Sequence, residues 1–150
     1  MQLDVFVNRF NKLATAYGLQ FEMLRPSSLF KSKPGLPLGA PYYALENSAK
    51  IQSPINLAKN ISMILEVEGG CVMAATLIAA KEKRGEIEIL RALASLIESI
   101  SGLGQPDRNA MLEGVGLFGD RPLGKCVHKG WACHCSAKDM IMFWIYKNAR

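Results

Sequence analysis

Ile61-Ser62-Met63-Ile64-Leu65-Glu66-Val67-Glu68-Gly69-Gly70 runs straight into Cys71-Val72-Met73-Ala74-Ala75-Thr76-Leu77-Ile78-Ala79-Ala80, and the fold turns on this stretch. Ile61, Met63, Leu65 and Val67 alternate with Ser62, Ile64 and Glu66, which is the period of a half-buried strand. Gly69-Gly70 tolerates the positive φ angles of a tight turn, so the two runs predict an antiparallel hairpin. A hairpin at the centre of the chain favours an antiparallel sheet over alternating strand-helix-strand units.

Upstream, Leu3, Phe6, Val7, Phe10, Leu13, Ala14 and Tyr17 recur every three or four residues, as on one face of a helix, and Gly18 supplies the stop. Leu19-Gln20-Phe21-Glu22-Met23 then alternates and predicts a strand. Residues 26–41 hold Pro26, Pro34, Pro37 and Pro41, four of the seven prolines, and read as a long loop. Loops of that length are often functional, and Leu29, Phe30, Leu36 and Leu38 within it are candidate partner-binding residues. Their alternative role is to cover the domain's own core. Tyr42 to Leu45 predicts a short strand, and Pro54 interrupts whatever forms between Asn47 and Asn60.

Downstream, Glu86 to Ser101 predicts a helix with Ile87, Leu90, Leu93, Ala94, Ile97 and Ile100 on one face, closed by Gly102. Pro106-Asp107 opens a shorter helix carrying Met111, Leu112 and Val115, ended by Gly114, Gly116 and Gly119. The tail from Lys125 to Tyr146 reads as two strands turning at Ser136-Ala137-Lys138-Asp139. Met140 to Tyr146 is read as a buried strand whose Phe143, Trp144 and Tyr146 pack in the core. The expected fold is α+β: an antiparallel sheet of five to six strands, with an N-terminal helix and a central helix pair on one face, in a single domain over residues 1–150.

Composition agrees. The chain has 150 residues, 49% hydrophobic and 21% charged, enough to bury a core of its own. The N-terminus lacks a basic segment followed by an apolar one, and the longest apolar run is about half a bilayer span, so the expectation is a cytoplasmic chain without a membrane span. The net charge of +5 would suit nucleic acid or an acidic partner. The dense cluster Lys81, Lys83 and Arg84 includes Glu82 and reads as a solvated connection, however, and no aromatic residues are interleaved with basic ones as a stacking platform.

Two phosphate-binding patterns fail on context. Gly114-Val115-Gly116-Leu117-Phe118-Gly119 fits a dinucleotide fingerprint but follows a helix where a strand is required. Gly119 to Lys125 has the spacing of a phosphate loop, but Cys126 stands where Ser or Thr should hold magnesium. The remaining unusual stretch is Cys126-Val127-His128-Lys129-Gly130-Trp131-Ala132-Cys133-His134-Cys135. If Lys129-Gly130 is a hairpin turn, Cys126 faces Cys133, and alternation places Cys126, His128, Cys133 and Cys135 on one face, as candidate zinc ligands. The spacing matches no usual paired knuckle. The same cysteines can pack as small apolar groups, or act as a redox or nucleophilic thiol beside His128 or His134.

The opening helix followed by strands loosely resembles small secretion chaperones, although the C-terminal strand pair and the basic balance depart from that pattern. Without a coherent catalytic set or a required cofactor, the expected function is non-enzymatic binding of another protein, as an adaptor, a secretion-chaperone-like factor or an inhibitor. The alternatives are a zinc-stabilised or thiol-dependent module, acting on nucleic acid in one version, and a small enzyme using a thiol or nucleotide.

Overall fold

The computed structural model describes residues 1–21, 23–24, 50–51, 55–58, 61–80, 87–118 and 122–148. Helix α1 (Leu3–Ala16) is followed by strands β1 (Lys50–Ile51), β2 (Ile55–Ala58), β3 (Ile61–Glu68) and β4 (Cys71–Ala80). Helices α2 (Ile87–Ser101) and α3 (Gln105–Gly114) come next, then β5 (Lys125–His128), β6 (Trp131–Ala137) and β7 (Met140–Lys147). Every described strand pairing is antiparallel. The sheet runs β1-β3-β4-β7-β6-β5, with β2 beside β1 on the free edge of β3, so its strands occupy six positions. This is the expected α+β fold. The Tyr42–Leu45 strand, the loop residues Leu29, Phe30, Leu36 and Leu38, and the Lys81, Lys83, Arg84 cluster lie outside the described residues.

The central hairpin forms as its sequence requires: Gly69 and Gly70 take φ of 58° and 81°, and Glu68 pairs with Cys71 across the turn. Ile61, Met63, Leu65 and Val67 are all buried. A bulge between Glu66 and Val67 shifts the register, so that Val67 meets Val72. Met1 and Leu3 bond the backbone of Val72 and Gly70, which anchors the start of α1 to this turn.

The predicted strand at Leu19–Met23 does not form over its described residues. Beyond α1 the chain folds back along the helix instead. Leu24 donates its N–H to Asn11 Oδ1 (2.9 Å) and accepts from Asn11 Nδ2 (2.7 Å), so a side-chain amide takes the place of a neighbouring strand. Leu19 and Leu24 are buried and Phe21 meets Phe10 edge to face, while Met23 points to solvent.

The described helices all lie on one side of the sheet, where Phe6 and Phe10 of α1, Leu93, Leu96 and Ile97 of α2 and Met111 of α3 share a core with Leu77, Phe143 and Ile145. Helix α2 is central and is buried continuously from Ala92 to Ile100. Its Glu98 carboxylate ties the three helices together: Oε2 accepts from the Tyr17 hydroxyl at 2.5 Å and from Arg108 Nη1 at 3.1 Å. The Arg108 guanidinium also lies over the Tyr17 ring, 5.4 Å from its centre. A buried carboxylate needs such partners, since desolvation would otherwise favour its protonated form.

Candidate functional site

The tail contains three strands where two were expected. Lys129 and Gly130 (φ 46° and 83°) make a two-residue turn between β5 and β6, and Lys138-Asp139 makes the next turn. The register sets Cys126 opposite Cys133 and His128 opposite Trp131, and on the other side sets Cys133 opposite Ile145 and Cys135 opposite Phe143. Cys126, His128, Cys133 and Cys135 therefore share one face, as alternation predicted. It is the face the helices cover.

No group of three or more His, Cys, Asp or Glu side chains among the described residues is placed to hold a metal ion. His128 Nε2 instead lies 2.9 Å from Asp107 Oδ1 on α3, and Lys129 Nζ reaches the same oxygen at 2.9 Å. The bond to His128 and then that to Lys129 hold the Asp107 carboxyl below its ordinary range. Together they clasp the β5–β6 turn to the helix. Cys133 and Cys135 are buried, and no disulfide joins the four cysteines. Burial, and secondarily the charge of a Cys126 thiolate, pushes the Cys133 thiol up to about 12, so with no cation beside it the group is a neutral thiol at neutral pH. Cys126 packs against α3, where a Cβ on Gly114 would collide with its Sγ and Cβ.

The phosphate-binding patterns break up in the same region. Gly114 belongs to a helix, Gly116 sits just past its end, and Lys125 opens strand β5.

The opposite face of the sheet was missed from sequence. Strand β7 is buried on one side only: Ile141, Phe143 and Ile145 point to the helices, whereas Met140, Met142 and Trp144 point away and are 41%, 40% and 39% exposed. The core placement expected for Trp144 is thus corrected, because every described helix packs on the other side. Ile64, Thr76, Trp144, His134 and Lys125 follow one another across the ladder, and Ile78 with Met142 and Tyr146 with Val127 extend the surface. Trp144 and Tyr146 lean together with ring centres 4.4 Å apart, and Val127 is 64% exposed. The signal for this face was the absence of polar alternation in Met140–Tyr146, which alone cannot distinguish a strand buried on both faces from one that leaves an apolar face open.

No family model matches the chain, no curated protein matches its sequence, and no solved structure matches it. None of the helices of the described residues is long and apolar enough to cross a membrane.

Proposed function

We propose that this protein is a protein-binding module whose docking surface is the face of its sheet opposite the described helices, centred on Trp144 and Met142. The observation that carries this reading is the outward display of Met140, Met142, Trp144 and Val127 on paired strands. An antiparallel sheet normally turns polar residues to water on its open side. Exposed Trp and Met beside a half-buried Tyr on a regular ladder have the composition of an interface core, and contiguous apolar surface on a monomer marks an interaction site. Lys125 is exposed at one margin of this face and Glu66 lies on it beyond Tyr146, so the charged border is mixed and the apolar row carries the recognition.

The test compares the wild-type protein with Trp144→Lys, which alters only the outward face. Each is tagged and recovered from its native host, and the co-purifying protein is identified and titrated in purified form. The substitution is expected to weaken binding about thirtyfold or more, as for a central aromatic anchor. Equal binding by both proteins would overturn the reading. So would a wild-type dimer that Trp144→Lys converts to monomer, since the face would then serve self-association.

A further inference from the structure

On the helical side, a cleft of about 210 Å³ opens between the C-terminal end of α1, the start of α2, and α3 with the turn after it. Leu90, Ile87 and Phe118 give it apolar walls, the last two partly open to solvent, and Tyr17, Arg91 and Arg108 bring the polar groups. Among the described residues the charges do not balance. Arg108 is nine-tenths buried and spends Nη1 on Glu98 and Nε on Asn109, which leaves Nη2 with donors to give. Arg91 donates to the Gly18 carbonyl at 3.2 Å and pairs with no carboxylate among the described residues. Two guanidiniums thus line the cleft for one carboxylate, and that carboxylate is already shared with Arg108 and the Tyr17 hydroxyl.

We propose that this cleft binds a small monocarboxylate with an apolar body, its carboxylate held by Arg91 with the free edge of Arg108 and its body lying on Leu90, Ile87 and Phe118. One positive charge left uncompensated among the described residues matches a monoanion, and guanidinium donors suit the planar fork of a carboxylate. The apolar walls favour a hydrocarbon or aryl body over a bare inorganic anion. The volume lies below that of drug-sized pockets and suits a ligand of roughly ten heavy atoms. This site is separate from the open sheet face, and its failure would leave the docking proposal untouched.

The experiment titrates phenylacetate and its neutral counterpart phenylacetamide into the full chain, following the protein by NMR. Phenylacetate is expected to bind with Kd of about 1 mM or tighter, the range open to so small a ligand, and the amide at least about tenfold more weakly. Arg91→Gln, at a partly exposed position, is expected to abolish that preference, and Phe118→Ala to weaken both compounds alike. Equal affinity for acid and amide, an acid preference that survives Arg91→Gln, shifts at Trp144 in place of the cleft residues, or no binding of either compound would each overturn the proposal.

Discussion

Gly114 of α3 and Cys126 of β5 pack so closely that a single added methyl on the glycine would overlap both side-chain atoms of the cysteine. Gly114 lies within the helix, and the only feature that demands glycine there is the approach of the strand. The contact sets how near α3 lies to the β5 edge of the sheet, and the clasp of Asp107 on His128 and Lys129 secures the helix to the same edge about two turns back.

Gly114→Ala is accordingly expected to destabilise the fold by about 1–3 kcal/mol through overpacking, even though alanine is the better helix former. Cys126→Ala in the same chain should recover most of that loss. Urea unfolding of the two single variants and the double variant measures the coupling. Additive effects would show that the two residues do not meet.

The Glu98–Arg108 pair leads to a second expectation. Arg108→Met leaves a buried carboxylate with only the Tyr17 hydroxyl, and should cost about 3–5 kcal/mol. Replacing both members, as Glu98→Leu with Arg108→Met, should cost far less, because no charge is then left buried and unpaired. Thermal melts of the two variants decide it, and a double variant no more stable than the single one would contradict the pairing.

The buried Cys133 thiol sets a dependence at high pH. Its folded pKa, near 12, lies above the ordinary 9.0, so between those values the native chain holds a proton that the unfolded chain releases. Stability from this group is complete below pH 9 and declines as pH rises toward 12, at a rate on the order of 1 kcal/mol per pH unit. Tyr17, raised chiefly by desolvation and then by its bond to Glu98, acts in the same direction from about pH 10. Subtracting the stability profile of Cys133→Ala from that of the wild type isolates the thiol, and the difference should shrink steadily above pH 9. A constant difference would mean that the thiol ionises as readily in the folded chain as in the unfolded one.

Much of the fold was legible because its signals are local. Alternation in Ile61–Val67 with Gly69-Gly70, the three-and-four spacing from Ile87 to Ile100, and the Lys129-Gly130 turn each act over a few residues, and each locates an element or a register, down to Cys126 opposite Cys133. Alternation also misled where a non-local partner intervened: Asn11 took the backbone bonds of Leu24, and the described residues of Leu19–Met23 stay out of the sheet.

By itself the sequence determined the hairpins, the helices and which residues of each strand share a side, since hydrophobic period and turn chemistry are properties of short segments. Only the tertiary structure decided which side the helices would cover, and so whether Trp144 or Phe143 met water; it also brought Tyr17, Arg91 and Arg108 around one cleft. Those outcomes depend on how distant elements pack, and no period within a strand or helix records which of its faces another part of the chain will occupy.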